Sequence, residues 1–437
     1  MKGTPMATTY DDLKVALKRR LPARILEEQG RATQFIRRQR TIGAADFVWS
    51  VVMSRFATGL PGFDQARRIF QELSRTQIWP RPFQMRFKAA SAVQLFAAAF
   101  ESAVEQWRQR RRIEHPLSKY FSDIVAIDST IMPLNDRLRR VFPSHLHAGA
   151  ELKATLAISV FGLVPLAARL TSRKIHDSKL FPELSIFRRG ALLLFDNAYA
   201  AYGKLGELAR SGFFFVAPMR RHGVARVLRV RRGPKAVRAK VARNPGGVPL
   251  RSLLPRDVRV SGTWDLDVLV RPQVGDRTEI PMRLVIRPGR KRSYFYLTNV
   301  GETWTAEAVA ELYRLRWQIE LVFKELKQHL SIEAIPTKDP RAAQVFVWAS
   351  LLALAVSRTV AAVLTPLSKL NGLAATQAVA LASKALRSSL DLFLRFLAVE
   401  PSRRLAREIL NAVARSATRR HRCRPDSFQR LLSFAPP

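Results

Sequence analysis

The chain has 437 residues, with 74 lysines and arginines against 34 aspartates and glutamates, a formal charge of +40 at neutral pH. The length suggests about two to four domains, and a hydrophobic content of 47 % excludes disorder of the whole chain. One cysteine, Cys423, excludes a disulfide framework and a cysteine-based zinc site and fits a reducing compartment, while so large a positive charge calls for a polyanion: nucleic acid first, an anionic membrane surface second, acidic proteins third.

The N-terminal stretch has no continuous apolar core ahead of a cleavage site, so it does not read as a secretion signal. Residues 1–115 read as helical. Phe47, Val51 and Phe56 fall near helical spacing, as do Ile69 and Leu73, and 89–107 suits one long apolar helix. Pro80 and Pro82 break the pattern between two helices. Arginines punctuate the region at 37, 38, 40, 67, 68 and 110–112. This is either a helix-turn-helix-like DNA-binding arrangement or a helical bundle with solvated arginines.

Over 116–212 the character changes. Apolar runs of strand length lie at 124–127, 154–160, 164–170 and 191–195, with Gly162 at a hairpin turn. A short helix is expected over 182–188 and another over 202–210. Strands mixed with helices predict an α/β layer. Residues 213–298 are dense in turn signals, such as Gly233-Pro234, Pro245-Gly246-Gly247, Gly262, Gly275 and Pro288-Gly289, between β-rich runs at 264–270, 282–286 and 293–298. They read as a small β-rich insertion. Between Arg220 and Arg256 it holds arginines and lysines but no acid, which suits contact with DNA or RNA.

The chain then turns helical again over 306–330. The apolar segment 345–364 is interrupted by Arg358. Its uninterrupted part is shorter than the roughly 20 residues of a membrane span, so it predicts a buried helix and no membrane partner. Residues 366–437 carry helical patterns and end in the basic cluster ATRRHRCRP.

Two aspartates follow apolar, strand-like runs directly: Asp128 in DIVAIDST and Asp196 in ALLLFDNAY. An Asp at the end of a buried strand aims its carboxylate into the crevice at a sheet's edge, where ligands and metals bind in open α/β sheets. A lone Asp there is more simply a turn residue. Two on neighbouring runs point to a metal site. The helix over 310–330 supplies a third acid. At about 100° per residue, Tyr313, Arg316, Glu320, Lys324 and Lys327 share a face roughly 80° wide. Leu315, Ile319, Val322, Leu326 and Leu330 form the opposite, core-facing stripe. One acid among several cations suits phosphate chemistry, the acid helping to hold a divalent metal and the cations gripping phosphates. The alternative is an ordinary amphipathic helix with a solvated face.

In this order, with the third acid inside Tyr313-x2-Arg316-x3-Glu320-x6-Lys327, the chain resembles the DDE transposases of bacterial insertion sequences, specifically the insertion-sequence-four family with its Y-R-E-K signature. Ile127-Asp128-Ser129-Thr130 resembles the context of the first acid. Leu297-Thr298-Asn299 and the run from Tyr313 to Glu320 resemble the third block, and FIRRQRTI from Phe35 is similar to the family's N-terminal region. The resemblance implies an α/β fold with a ribonuclease H-like catalytic core, divided between 116–212 and 299–365. The β-rich insertion 213–298 interrupts it. A helical DNA-binding region at 1–115 and a helical region at 366–437, a candidate for dimerisation, flank it.

The resemblance also implies a cut-and-paste DNA transposase. Asp128, Asp196 and Glu320 would hold two Mg²⁺ ions, for which Mn²⁺ can substitute. One would activate water, or later the freed 3′-OH, for attack on a phosphodiester, and the other would stabilise the leaving oxygen. Arg316, Trp317, Lys324 and Lys327 would contact DNA, and Tyr313 would bond a phosphate near the cut. The partners would be the terminal inverted repeats and target DNA, with a hairpin intermediate and at least a homodimer at synapsis. The expected location is the cytoplasm, with the nucleoid.

Some positions depart from the family pattern. Asn197-Ala198-Tyr199 stands where Arg-Gly-Tyr is common, and Ala154-Thr155 stands where a Leu-His pair is common. Tyr294 matches a tryptophan on which some members stack a flipped base, and a tyrosine can still stack. His145-x-His147 lacks a clear third ligand for a metal. Asp177 reads as a structural acid near the site. No P-loop or dinucleotide glycine fingerprint is present. Two other readings are a catalytically inactive, transposase-derived DNA-binding repressor and a nuclease on the same core without strand transfer.

Overall fold

The computed structural model describes residues 16, 17, 20–38, 41–59, 61–109, 115–145, 149–219, 225–254, 260–271 and 279–370. Nearer the C-terminus it describes 382–384, 386–398, 408, 431, 433, 434 and 436. Cys423, Arg40, the arginines at 110–112, His147, Gly275 and the basic cluster at 417–425 lie outside the described residues.

Among the described residues the helices α1 (Ala23–Ala32), α2 (Ala44–Ser54), α3 (Phe63–Ser74), α4 (Pro80–Phe87) and α5 (Ala90–Arg108) precede the sheet. Pro80 is the first residue of α4, where its missing N–H costs nothing; the proline pair thus divides two helices, as the sequence suggests. Apolar faces converge on Phe47, whose ring meets Phe83 at 5.4 Å, Phe87 at 5.0 Å and Phe96 at 6.0 Å, all edge to face. Such pairs add to the burial energy.

Among the described residues ten strands follow: β1 (Ile124–Leu134), β2 (Ala150–Ser159), β3 (Val164–Ser172), β4 (Leu192–Phe195), β5 (Phe214–Pro218), β6 (Ala225–Arg232), β7 (Val248–Pro249), β8 (Trp264–Val270), β9 (Ile280–Arg287) and β10 (Tyr294–Thr298). The helices among and after them are α6 (Tyr202–Arg210), α7 (Lys235–Ala242), α8 (Ala306–Arg314), α9 (Trp317–His329), α10 (Pro340–Leu370) and α11 (Leu390–Ala398). The strands form one mixed sheet in the order β3-β2-β1-β4-β5-β10-β9-β8-β6-β7. β2 and β3 make the expected antiparallel hairpin around Gly162, and β1, β4 and β5 run parallel.

Side-chain alternation splits the sheet between two cores. Leu192 and Leu194 face one, with Ala126, Ile319, Val322 and the aromatic cluster of the first helices; Leu193 and Phe195 face the other, with Ile127, Leu205 and Tyr199. Helices therefore cover both faces of the β1–β4–β5 region, as its unbroken apolar runs require.

The structure differs from the expectations or goes beyond them at four places. β1 does not stop at Ile127 but runs on to Leu134 along its partner β2; the polar residues Asp128, Ser129 and Thr130 end the apolar run without ending the strand. Residues 182–188 hold only a single 3₁₀ turn, Leu184–Ile186. The strands of 213–298, read as a β-rich insertion with no stated partner, join the sheet of the preceding region. β5 pairs with β4 on one side and β10 on the other, so the remaining strands extend the same sheet. Finally, the helix over 306–330 is two helices, divided at Leu315 and Arg316.

The most apolar window of α10 is long and apolar enough to cross a membrane, yet 94 % of it is buried inside the protein. Arg358, the residue that interrupts its apolar run, is 1 % exposed. Its guanidinium meets Glu325 of α9 at 2.8 Å and 2.5 Å and donates to the Leu163 carbonyl at 2.8 Å. A buried charge persists only when so paired, and this one ties α10 to α9.

Candidate active site

β1 and β4 are parallel neighbours in register from Ile124↔Leu192 to Ile127↔Phe195. β4 ends there, and β1 continues alone on that side. Asp128 and Asp196 are the next residues on each, so they stand side by side where one strand stops pairing. The alternation that turns Leu192 and Leu194 toward α9 turns Asp196 the same way; Asp128 follows Ala126 to that face. Asp196 also caps the turn after its strand, its Oδ1 accepting from the Asn197 N–H at 2.7 Å.

The third acid comes from above. At the α8–α9 junction the backbone closes i→i+3 bonds, Leu315 to Leu312 at 3.1 Å, Arg316 to Tyr313 at 3.0 Å and Ile319 to Arg316 at 3.1 Å. A 3₁₀ turn has about 3.0 residues per turn, so side chains three apart eclipse. Arg316 thereby comes into line with Tyr313, with Cζ 5.9 Å from the ring centroid. The guanidinium then reaches down between two acids. One nitrogen donates to Asp128 Oδ2 at 2.8 Å and the other to Glu320 Oε1 at 2.5 Å. The predicted core stripe of Leu315, Ile319, Val322, Leu326 and Leu330 is buried.

Burial pushes the Asp128 carboxyl up to about 6. The Ser129 N–H and Arg316 oppose this by favouring the anion, and the charges of Asp196 and Glu320 add to it. A buried carboxyl facing two further acids describes a place that attracts a cation. Burial likewise raises the Tyr313 hydroxyl, which also feels Asp196. An all-carboxylate donor set is chemically suited to a hard divalent ion such as Mg²⁺. Among the described residues no three His, Cys, Asp or Glu stand close enough together to hold a metal ion; the guanidinium of Arg316 occupies two of the three acids instead.

The remaining predicted site residues surround this centre unevenly. Trp317 is 56 % exposed at the start of α9. Lys324 is exposed and lines a shallow cavity of about 370 Å³ with Thr130, Glu320 and Lys327. Lys327 is paired with Glu333 at 2.8 Å, a solvated pair worth little. Tyr294 is 45 % exposed at the start of β10. Pairing sets it at the same sheet edge as Asp196, two strand spacings away or about 10 Å sideways. The turn behind its ring needs Gly289, where a Cβ would lie 2.4 Å from the Arg292 carbonyl oxygen and from the Tyr294 ring. His145 is exposed and belongs to no metal-binding group among the described residues.

Sequence reasoning missed the network on the other face of β1. Ser129 and Thr155 are direct partners across β1 and β2, with hydroxyls 2.8 Å apart. The Ser129 hydroxyl also meets the Tyr199 hydroxyl at 2.6 Å and Asp177 Oδ1 at 3.2 Å. That same carboxylate oxygen accepts from the buried Lys153 at 2.9 Å. Asp177 is thereby held between Lys153 and Ser129. The network joins the residue after the first acid to the turn after the second. The only signal in the sequence was the retained tyrosine in Asn197-Ala198-Tyr199.

A family profile described as a transposase DDE domain matches residues 119–356, more than half of the chain. The protein y4zB of Sinorhizobium fredii (strain NBRC 101917 / NGR234), which carries a transposase name, is 28 % identical over 198 residues, 45 % of this chain and 50 % of that protein. The transposase for insertion sequence element IS421 of Escherichia coli is 50 % identical over 58 residues, 13 % of this chain and 16 % of that protein. The matched region thus spans half or less of these curated relatives. Among solved structures, a piggyBac transposase synaptic complex with hairpin DNA aligns with a TM-score of 0.42 at 12 % identity, covering 92 % of this chain and 85 % of that one.

Proposed function

The chain belongs to the transposase DDE domain family, and from that premise we propose that it cuts and rejoins DNA at the ends of an insertion sequence. The observation that carries the reading is the convergence of Asp128, Asp196 and the Arg316–Glu320 pair on one face of the sheet. The order β3-β2-β1-β4-β5, with β1, β4 and β5 parallel, supports a ribonuclease H-like core extended by the strands of 219–293. The signature Tyr313, Arg316, Glu320 and Lys327 supports the insertion-sequence-four family within it.

In this reading Asp128, Asp196 and Glu320 hold the divalent ions, Mg²⁺ or Mn²⁺. Bound there, such ions supply Lewis-acid stabilisation of the phosphoryl oxygens and a more acidic attacking water. The protein's own part is positioning. Arg316 takes a phosphate bidentately, and Lys324 and Lys327 hold the flanking backbone as point charges. Tyr313, with its hydroxyl kept protonated by burial, donates to a phosphate near the cut. Trp317 and Tyr294 offer exposed rings to DNA; Tyr294 is the candidate for stacking an unpaired base. The first helices and the acid-free basic segment grip the terminal inverted repeats. End processing passes through a hairpin, and two copies of the chain join two ends. The protein works in the cytoplasm, on the nucleoid.

The test uses duplex DNA carrying the flanks of this gene and a scrambled control, with Mg²⁺. Wild type should break both strands at the element ends, and Glu320→Gln should bind without cutting. Binding without cleavage by both proteins would favour a repressor, and cleavage of the scrambled DNA equal to that of the flanks would favour a plain nuclease.

A further inference from the structure

Arg316 stands in the acid cluster where a metal ion is expected. Its two terminal nitrogens hold Asp128 Oδ2 at 2.8 Å and Glu320 Oε1 at 2.5 Å. The side chain is only 18 % exposed, against 24 % for Asp128 and 30 % for Glu320. A guanidinium cannot lose its proton to leave the cluster; it must move. Its planar fork matches a phosphate as well as it matches two carboxylates. Lys324, exposed one turn beyond Glu320 on α9 and lining the same cavity, helps bring a phosphate to that place.

We infer that Arg316 locks the first and third acids together in the DNA-free protein, and that a DNA phosphate draws it off and opens the acids to divalent metal. The inference rests on the reading of Asp128, Asp196 and Glu320 as metal ligands. With Arg316 in place the cluster carries three negative charges and one positive, and two of its carboxylates are engaged. With Arg316 on a phosphate, all three carboxylates face one another unscreened, the condition that favours a divalent ion. Metal loading is then coupled to DNA binding, and by linkage metal tightens DNA by the same factor as DNA tightens metal. A protein so built carries little metal until it holds its substrate.

The test is a Mn²⁺ titration of the full chain, followed by loss of the free-ion electron paramagnetic resonance signal. It is run with and without a duplex oligonucleotide, with the duplex alone subtracted. The expected result is weak binding by wild type, tightened about tenfold or more by DNA, within the usual span of allosteric coupling. Arg316→Ala should bind Mn²⁺ about tenfold more tightly without DNA and gain little from adding it. Arg316→Lys, which keeps the charge but cannot hold both acids, should bind more tightly than wild type and guards against a folding defect in the alanine variant. Asp128→Asn and Glu320→Gln serve as controls. Equal DNA-free affinity in wild type and both Arg316 variants, with loss of binding in the controls, would overturn the lock and leave the metal site standing. Affinity unchanged in the controls would overturn the metal site itself, and the lock with it.

Discussion

Asp128 is pulled two ways at once. Burial and its acidic neighbours favour the protonated form, and the Ser129 N–H and Arg316 favour the anion. Behind it, Ser129 has one proton to donate and several partners to satisfy. The charged Asp177, held by Lys153, takes that proton, so Tyr199 donates to Ser129 in turn. The result is a directional chain from the turn after Asp196 to the strand that carries Asp128, and it fixes the two acids relative to each other. Tyr199→Phe removes one hydroxyl and little volume. It should lower metal-dependent cleavage by about 10–100-fold, the range for partners that orient metal ligands, with binding of DNA unchanged in a gel-shift assay. Unchanged cleavage would assign the network to stability alone. The acids themselves were legible because each follows an apolar run. The network was not, because its members lie 26, 48 and 70 residues from Ser129 in sequence and only strand pairing and the following turns bring them together.

The element that organises the site is the α8–α9 pair. Helical spacing alone identifies its buried stripe correctly, since that stripe depends on burial rather than on local turn geometry. It does not reveal the 3₁₀ junction, because no proline or glycine stands between Tyr313 and Glu320 to signal it. The junction nonetheless brings Arg316 into line with Tyr313 and onto the acids. On the inner side of α9, Glu325 accepts from Arg358 of α10 and from the Ser383 hydroxyl. Arg358 argues against a membrane span from the sequence alone, but nothing in its neighbourhood along the chain points to its partner. Arg358→Leu should destabilise the protein by roughly 3–5 kcal/mol, the usual cost of stranding a buried charge. Arg358→Leu combined with Glu325→Leu should recover much of that. Denaturant midpoints of the three proteins test this; a double variant less stable than Arg358→Leu would show the pair to be stabilising in its own right.

Across the whole molecule, one sheet connects the acids to a strongly basic rim. β6 lies five strand spacings from β4, or about 24 Å at the usual separation, a span of roughly seven base pairs. Arg229 on β6, Lys235, Arg238 and Lys240 on α7, and Arg243 just after it are all exposed. Composition made this charge visible, but turn signals and β-rich runs do not reveal that these strands pair into the same sheet as β1 and β4. The proposed DNA path runs from the acids to this rim. Replacing Arg238, Lys240 and Arg243 with alanine should weaken binding to all sequences alike. It should also flatten the salt dependence of binding by about 0.9 for each phosphate no longer neutralised, up to roughly 3 in the log–log slope. An unchanged slope would put the DNA elsewhere. The central claim is that Asp128, Asp196 and Glu320 form one reaction centre. Its most direct test compares wild type with Asp128→Asn, Asp196→Asn and Glu320→Gln on element-end DNA in Mg²⁺, measuring binding and cleavage on the same duplex. The account predicts that all four proteins bind and that each variant loses cleavage by more than about 100-fold, beyond the loss from a partner that merely orients a ligand. Cleavage at the wild-type rate by any one of the three variants would contradict it.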